Sequence, residues 1–548
     1  MSRKGIWAKV IVSGVIGTLF LAGCGQKKEA GKDKKSEQIF SQTVPTELTS
    51  ADLSVVTDTI SFGILNNTNE GIYRLDKDNN PQPAGAKEMA EVSTDGKTYT
   101  IHLRDTNWSN GDPVKAGDYV YGWQRTVDPK MASQYAFMFS SVKNADAINQ
   151  GKAELDTLGI KALDDTTLEI QLEQATPYFP YLLAFPSFFP QNKGVIEEYG
   201  DQYAATSEKL VSNGPFVLTD FDGPGVDTDW TLKKNKEYWD ADTVQLTEIN
   251  YTVVKEASTA LNLFNDGQAE DVTLNGELAR QKAKDPEYVS LPIASTTYLE
   301  FNQATPDSPF KNSNVRKAIS YALDRKSIVT NILGNGSIAS TGFVPSGMSL
   351  NPETKADFTE DTKATLSYDE KQAQTYWEKA KSELGIEKLS FKLLSSDVDS
   401  TKKITEYIKG QLEEKLPGIT IDLNPVPISV RLERANSGNF EVVMNNWVAD
   451  YADPSSFLDL FVTGSPYNRG DYSSKAYDKA VESASLADAT DEAARWQDLL
   501  TADQILNEDM GIVPIYQSTE AHLRSEKIKG IVTHAAGAQY DYKWAYVE

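Results

Sequence analysis

The sequence predicts an α/β protein, because one stretch of the C-terminal half has the strand–helix–strand order of a parallel β-α-β unit. Strand patterns occur at 391–394 and 419–423, and a helical pattern lies between them at 404–416. A further apolar run at 440–445 predicts a third strand. Ligands of such sheets bind at the carboxyl ends of the strands, so a binding site is expected where these runs end.

The chain has 548 residues, which is more than one hydrophobic core usually serves, so two or three lobes are expected. A helix at 315–323 is predicted from apolar residues spaced i, i+3, i+4, i+7 and i+8, with Asn312 or Asn314 available as its cap. The remaining patterns predict short elements along the rest of the chain. They are strands at 61–65, 72–75, 98–103, 168–172, 230–232 and 249–254, and a helix at 112–125.

The N-terminus has the pattern of a secretory signal at 1–23. Three basic residues precede an uncharged stretch at 10–21 that is too short to cross a bilayer as a helix. The ending Leu21-Ala22-Gly23-Cys24 resembles the lipobox of bacterial lipoproteins, which implies cleavage before Cys24 and acylation of its thiol. The alternative is a plain signal peptide with an ordinary cysteine. Cys24 is the only cysteine in the chain, which favours lipidation, because a lone exposed thiol has no disulfide partner.

Residues 24–44 are predicted to be a flexible tether between this lipid and the folded body. Residues 25–36 are rich in lysine, glycine and acids and contain almost no apolar side chains. Such a composition cannot bury enough surface to offset the entropy of ordering.

Composition excludes several classes of function. The net charge of −25 argues against nucleic acid as a partner, since phosphate binding requires a basic face. The three histidines, His102, His522 and His534, lie far apart and form no H-E-x-x-H pair. Neither a nucleophile elbow nor a phosphate-binding loop is present, so no catalytic residue, metal or cofactor is expected.

Several segments together resemble one family, the dipeptide- and oligopeptide-binding proteins of bacterial ABC importers (extracellular solute-binding proteins, family 5). The longest segment, at 94–119, is similar to the family signature D-G-K-x-y-T-F-x-L-R…W-x-d-G-x-P-v-t-A-x-D in residue type and spacing. Shorter matches follow in the expected order at 213–216, 235–240, 301–325 and 446–458. The segment 119–136 is most similar to the oligopeptide-binding branch.

The resemblance implies a periplasmic-binding-protein-like two-lobe fold (type II, cluster C) with an extra inserted domain. Domain I would be discontinuous, at 45–76, 212–297 and 517–548; domain II would be inserted at 77–211; and domain III, the second ligand-binding lobe, would span 298–516. The implied function is a monomeric, lipid-anchored receptor on the extracytoplasmic face of the cell membrane, of the kind found on Gram-positive surfaces. Its expected partners are an oligopeptide and the permease subunits of an ABC transporter.

The resemblance also implies a set of peptide-binding residues. In the family, the aspartate of the W-x-A-D-Y motif pairs with the ammonium of the peptide; here it is Asp450. Asn446, Trp447 and Val448 would offer main-chain groups to the peptide, and Ile64, Leu65 and Asn66 would offer a second edge. Tyr135 matches a position that faces the ligand. A receptor that ignores peptide sequence must recognise what all peptides share, which is the ammonium and the main chain.

Some members of the family hold the C-terminal carboxylate of short ligands with a basic residue in the strand before this motif. Here that strand reads Val442-Val443-Met444-Asn445 and has no cation. We therefore expect the carboxylate to matter less and longer or more apolar peptides to be favoured, so that hepta- or octapeptides bind more tightly than tripeptides in calorimetric titrations.

Three alternatives stay open at this level. The ligand could be a single hydrophobic signalling peptide, or, as in related receptors, a dipeptide, a nickel chelate, haem or a sugar. A lipid-anchored hydrolase or foldase is the third alternative, but it needs a nucleophile–base pair that the sequence lacks.

If Cys24 carries the lipid, replacing its thiol removes the only acylation site. Cys24→Ser is expected to shift the protein from the membrane fraction to the soluble fraction, because no acyl chain remains. Mass spectrometry of the mature N-terminus checks this prediction. A wild-type protein without an acyl mass on Cys24 would contradict the lipoprotein assignment.

Overall fold

The computed structural model describes residues 37–362 and 366–548, and every structural statement below refers to this part of the chain. The predicted signal sequence, Cys24 and the first part of the predicted tether lie outside the described residues. Among the helices of the described ranges, none combines the length and the apolar composition needed to cross a membrane.

Strands account for much of the described chain. They are β1 Ile39–Val44, β2 Tyr73–Leu75, β3 Pro81–Pro83, β4 Glu91–Val92, β5 Thr98–His102, β6 Ile160–Asp164, β7 Thr167–Gln171, β8 Phe216–Thr219, β9 Asp229–Lys234, β10 Glu248–Val253, β11 Asp271–Leu274, β12 Tyr288–Phe301, β13 Ile338–Ala339, β14 Leu389–Ser396, β15 Ile419–Val426, β16 Val442–Val448, β17 Ile512–Arg524, β18 Ile528–Lys529, β19 Val532–Thr533, β20 Tyr540–Asp541 and β21 Tyr546–Val547.

The α-helices lie between and after these strands. They are α1 Thr59–Thr68, α2 Ala116–Val127, α3 Ala145–Asn149, α4 Phe179–Leu182, α5 Lys193–Tyr199, α6 Ala257–Asn265, α7 Gly276–Lys282, α8 Ser313–Ala322, α9 Arg325–Ser327, α10 Phe358–Thr362, α11 Glu370–Leu384, α12 Asp399–Lys415, α13 Ile428–Asn436, α14 Ser455–Leu458, α15 Lys475–Ser485 and α16 Glu492–Asp509.

One large mixed sheet runs through the protein. Its strand order is β15-β14-β16-β12-β17-β11-β1-β10-β9-β8, and β13 pairs with β17. The two longest strands, β12 and β17, pair antiparallel along most of their lengths, and their register shifts between Pro292 and Thr296. A separate four-stranded sheet has the order β4-β5-β7-β6.

Apolar side chains form several buried clusters rather than one core. One cluster fills the region of the four-stranded sheet and α2, and another packs β8, β9 and β10 against β1. Two more lie on β12, β14–β16 and the helices that follow them in sequence. The buried apolar residues are thus divided among several clusters, in line with the expectation of several lobes. A chain of this length is too large for a single hydrophobic core.

The β-α-β prediction is confirmed. β14 and β15 pair in parallel over their whole lengths, from Leu389 with Ile419 to Ser396 with Val426, and α12 connects them. The third predicted strand is β16, which runs parallel to β14. The helix predicted at 315–323 is α8, and the Asn312 side chain accepts a hydrogen bond from its first turn.

The strand predicted at 61–65 is wrong, because these residues lie in α1. The Asp58 carboxylate accepts the Ser61 N–H over 2.9 Å and caps the helix. Phe62, Ile64 and Leu65 are all buried, so the run is apolar on more than one face. A short apolar run of this kind does not distinguish a buried helix from a strand.

The tether predicted at 24–44 overlaps the fold, because β1 occupies 39–44. All six β1 residues pair in parallel with β10, from Ile39 with Glu248 to Val44 with Val253. Phe40 is fully buried in the same cluster as β8–β10. The predicted start of domain I at residue 45 therefore lies after a strand of the main sheet.

The helix predicted from residue 112 is α2, and it begins only at Ala116. There the Asp118 carboxylate accepts the Lys115 N–H over 2.9 Å.

The placement of β1 predicts a stability effect that a tether would not show. Phe40→Ala is expected to lower the free energy of unfolding by about 3–5 kcal/mol, because a fully buried ring leaves a cavity. Leu163→Ala, at a position that is 57% exposed, is the matched control and should cost little. Urea unfolding of both variants measures the difference, and equal midpoints would contradict a structural role for β1.

Candidate functional site

The strand β16 has an edge that other strands leave open. On one side β16 pairs with β12 from Val442 through Val448. On the other side, within the described residues, β14 pairs only with Val442 and Val443. Because β14 and β16 separate after this point, the main chain from Met444 to Val448 has no strand partner on that side among the described residues. Such an edge is a template for an added strand.

Asp450 follows the end of β16 by two residues, where the chain is fixed by main-chain hydrogen bonds. Ala449 donates its N–H to the Ala294 carbonyl over 2.8 Å, and Gly537 donates to the Ala449 carbonyl over 3.2 Å. Gly537 has φ +70° and lies close to the Asp450 carbonyl, where an added Cβ would come within 3.2 Å of that oxygen. The main chain next to Asp450 is therefore fixed at the carboxyl end of a strand, where a site in this class of sheet is expected.

The Asp450 carboxyl group lies in an apolar setting without a cation. The Tyr135 hydroxyl donates to Asp450 Oδ1 over a long 3.5 Å, and among the described residues no basic group forms an ion pair with it. Burial raises the pKa of Asp450 from 3.8 to about 7, and the Tyr135 hydrogen bond offsets this only in part. A carboxylate in this state is stabilised by any cation that enters the site.

Aromatic side chains surround this carboxyl group. Tyr135 stacks on Phe185 with ring centroids 5.9 Å apart and meets the edge of Phe62 at 4.9 Å. Trp447 packs against Tyr467 at 5.0 Å, and its indole N–H is buried without a hydrogen-bond acceptor. Burial raises the pKa of Tyr467, and the nearby Asp450 charge raises it further. The site thus combines one charge with apolar walls, the composition usual in ligand pockets.

The neighbouring acid in the same loop already has a partner. Both Asp453 oxygens accept hydrogen bonds from the Arg495 guanidinium, over 2.7 and 2.9 Å. Asp453 is buried, yet the charge of Arg495 holds its pKa below the ordinary value. It also accepts the Ser455 N–H over 3.0 Å at the start of α14. Asp453 is thus paired within the protein, and Asp450 is the acid of this loop without a cation partner among the described residues.

The structure brings most of the predicted site residues together. Asn446, Trp447 and Val448 lie on the open part of β16, with Val448 39% exposed, and Tyr135 contacts Asp450. The Asn446 side chain accepts a hydrogen bond from the Thr297 hydroxyl over 3.1 Å, which fixes it against β12.

The prediction of a second strand edge at Ile64, Leu65 and Asn66 is wrong, because the main chain there is bonded within α1. Ile64 and Leu65 are buried in two different apolar clusters, so they provide packing and no edge. Asn66 has a different place, since it lines a small cavity that Asp450 and Phe185 also line.

Sequence reasoning missed two aromatic residues of the site, Phe185 and Tyr467. Phe185 lies in a segment rich in aromatic residues, where no spacing distinguishes a ligand-facing ring from a core ring. Tyr467 lies in a loop after α14, and its contact with Trp447 and its nearness to the Asp450 charge mark it. Among the described residues, no group of three or more His, Cys, Asp or Glu side chains could hold a metal ion.

Comparison with known proteins shows the class to which this arrangement belongs. Residues 80–469 match the family model for the bacterial extracellular solute-binding proteins, family 5. The chain is 36% identical over 556 residues to the dipeptide-binding protein of Lactococcus lactis subsp. cremoris, covering 99% of both chains. The chain therefore belongs to the family 5 solute-binding proteins.

Solved structures agree with this assignment and with the two-lobe fold. The oligopeptide-binding protein OppA of Listeria monocytogenes, bound to peptide, is 40% identical with a TM-score of 0.77, covering 94% of this chain and 99% of that one. The pheromone receptor PrgZ is 44% identical with a TM-score of 0.77, covering 93% of this chain and 100% of that one. The prediction of an OppA-like family 5 protein with this fold is confirmed.

The isolated charge of Asp450 predicts that the site costs stability. The folded-state pKa of about 7 lies above the ordinary value of 3.8, so ionising Asp450 disfavours the folded state. This loss of free energy of unfolding is absent below about pH 4, grows as pH rises towards 7, and is constant above pH 7. Asp450→Asn is therefore expected to raise the free energy of unfolding by roughly 2–4 kcal/mol at pH 8 and to change it little at pH 4. Urea unfolding without ligand at the two pH values tests this, and a variant less stable than wild type at pH 8 would contradict it.

Proposed function

We propose that the protein is an extracytoplasmic receptor that binds oligopeptides and delivers them to the permease of an ABC transporter. The observation that carries the proposal is the placement of one desolvated carboxyl group, Asp450, beside the open edge of β16. A peptide has the two complementary features, a charged ammonium at one end and a main chain that can pair with a strand edge. Relatives named for dipeptide, oligopeptide and pheromone binding support peptide as the ligand class.

In the proposed complex, the peptide ammonium pairs with the Asp450 carboxylate. The ammonium supplies the positive charge that the described protein residues do not supply at this carboxylate. Pairing in a partly buried site is favourable because both charges would otherwise be left uncompensated. Tyr135 and Tyr467, which lie beside Asp450, would shield the pair from water.

The peptide main chain is proposed to extend β16 as an added strand. Main-chain hydrogen bonds along residues 444–448 give affinity without reading side chains, which suits a receptor with many ligands. The exposed Val448 and the Trp447 indole border this edge and would contact ligand side chains. Affinity then depends more on the length of the peptide and on its terminal groups than on its sequence.

The proposal includes the location of the protein and its cycle of action. The signal sequence and Cys24 would place it, lipid-anchored and monomeric, on the extracytoplasmic face of the cell membrane of a Gram-positive organism. The first ligand-binding lobe would comprise 212–297, 517–548 and an N-terminal segment that begins with β1, while 298–516 would form the second lobe and 77–211 the inserted domain. Closure of the two lobes around a peptide gives the permease a distinct form to recognise.

A second candidate is a dedicated receptor for one signalling peptide. The 44% identity to the pheromone receptor PrgZ favours this candidate. A nutritional receptor is expected to bind most members of a mixed peptide library with similar affinity, whereas a signalling receptor should enrich one apolar sequence. Mass spectrometry of the peptides retained by the purified protein separates the two.

The ion pair predicts a large loss of affinity when its carboxylate is neutralised. Asp450→Asn is expected to weaken binding of an unmodified hexapeptide by on the order of 3–5 kcal/mol, which is more than a hundredfold in Kd. N-acetylation of the peptide should weaken binding to wild type similarly and affect the variant little. Asp422→Asn, an exposed acid on β15, is the charge-matched control. Unchanged affinity of Asp450→Asn in calorimetry would refute the proposed pair.

The raised pKa predicts a pH dependence of affinity with a defined sign. Asp450 in the empty site binds a proton below about pH 7 and must lose it to pair with an ammonium. Wild-type affinity is therefore expected to fall about tenfold per pH unit as pH drops below 7. The fall ends at the pKa that Asp450 has in the complex, which the bound ammonium lowers. Above about pH 8 the peptide ammonium itself deprotonates and affinity falls again. In Asp450→Asn the fall below pH 7 should be absent, and a wild-type affinity that is constant from pH 5 to 7 would contradict this assignment.

A further inference from the structure

A cavity of about 220 Å³ lies between α1 and one face of the main sheet. Residues of β1, β11 and β17 form its floor, and its other walls come from α1 and from the segment 539–542. Pro45, Thr46 and Thr59 line the cavity and are exposed, so it opens to solvent on that side. The size is sufficient for a small molecule, since an apolar cavity of about 150 Å³ in another protein holds benzene.

This cavity is separate from the site at Asp450. Among the described residues that line it, none belongs to β16 or to the loop that follows β16. Different residues of α1 face the two places. Ile60 and Gly63 line the cavity, whereas Phe62 meets the edge of Tyr135, whose hydroxyl contacts Asp450.

The charged groups at the floor of the cavity compensate one another. Asp271 accepts hydrogen bonds from His522 Nδ1, over 2.6 Å, and from Arg524. Glu520 accepts the Tyr540 hydroxyl over 2.6 Å and lies 3.3 Å from His522 Nε2. Burial alone would lower the pKa of His522, but Asp271 and Glu520 together raise it to about 9, so the ring is charged at neutral pH. Two carboxylates thus pair with two cations, and a charged ligand would find no free counter-charge.

One hydrogen-bond donor of the cavity has no acceptor among the described residues. Gln42, on β1, lines the cavity and is only 8% exposed. Its Oε1 accepts the Tyr542 hydroxyl over 3.1 Å, while its Nε2 is buried without a hydrogen-bond partner. A buried N–H in this state is disfavoured until an acceptor, such as a carbonyl oxygen, reaches it.

Gly63 keeps the apolar side of the cavity open. It lies inside α1, where glycine is less favourable than alanine. An added Cβ at Gly63 would meet no atom within 4 Å, so close packing does not require a glycine here. At Gly71, by contrast, an added Cβ would overlap the Phe189 ring. The missing side chain at residue 63 therefore leaves room for a ligand.

We propose that this cavity is a second binding site, which takes a small uncharged molecule with a ring-sized apolar body and a carbonyl-type hydrogen-bond acceptor. The acceptor pairs with Gln42 Nε2, and the apolar body packs on Ile60 and Ile64 beside Gly63. The site goes beyond the proposed function and does not depend on it.

Benzamide, which has one ring and one carbonyl group, is the probe for this site. We expect saturable binding to the wild-type protein in ligand-observed NMR titrations, with the same affinity in the absence and in the presence of excess hexapeptide. Benzoate and benzylammonium have the same ring with opposite charges and should bind at least about tenfold more weakly.

Three variants locate the binding. Gly63→Leu fills the cavity and should weaken benzamide binding at least about tenfold. Because it replaces a helical glycine and occupies open space, it should unfold at the same urea concentration as the wild type or a higher one. Gln42→Met removes the donor with little change of shape and should weaken binding about fivefold. Gly410→Leu, at an exposed glycine of α12 where an added Cβ also meets nothing, is the matched control and should keep full affinity.

Absence of saturable benzamide binding to the wild type would overturn the inference, and this measurement needs no variant. Competition by the hexapeptide, equal affinity for the charged probes, or full affinity in Gly63→Leu would overturn it too. A Gly63→Leu protein that is less stable than the wild type would also contradict it, because the space would then be closed. None of these outcomes touches the proposed function, which is tested at Asp450.

Discussion

The antiparallel pairing of β12 with β17 on one side and β16 on the other is the constraint from which the site follows. β12 is the longest strand; it pairs with β17 along most of its length and with β16 along its second half. This pairing fixes β16 in register, so that β14, which joins it only at Val442 and Val443, leaves the rest of its outer edge open. The same register sets where β16 ends and hence where Asp450 lies. The register of the β12–β17 pair shifts between Pro292 and Thr296 and again between Thr297 and Tyr298. Pro292 itself cannot donate a hydrogen bond to the ladder.

Stability and the proposed ligand binding compete at Asp450. A carboxyl group with its pKa raised to about 7 disfavours the folded state at neutral pH, and an apolar or amide side chain would pack there at less cost. The adjacent Asp453 shows the alternative, since Arg495 neutralises it and its pKa is lowered. Two acids three residues apart thus have opposite electrostatic states, and only the one without a cation is suited to an external ammonium.

Sequence reasoning predicted the elements whose patterns are unambiguous. The β-α-β unit and α8 were predictable because apolar spacing and caps agree over many residues, and the resemblance correctly indicated the family. The helix α1 was not, because a run of buried residues such as Phe62, Ile64 and Leu65 fits helix and strand alike. β1 was missed because its six residues directly follow a lysine-rich stretch that resembles a tether.

The central claim is that the peptide ammonium pairs with Asp450 while its main chain extends β16. A crystal structure of the protein with an unmodified hexapeptide tests this most directly. We expect the ligand nitrogen within about 3 Å of an Asp450 carboxylate oxygen and main-chain hydrogen bonds between the peptide and residues 444–448. A peptide whose ammonium lies elsewhere, with the open edge of β16 unpaired, would contradict the account.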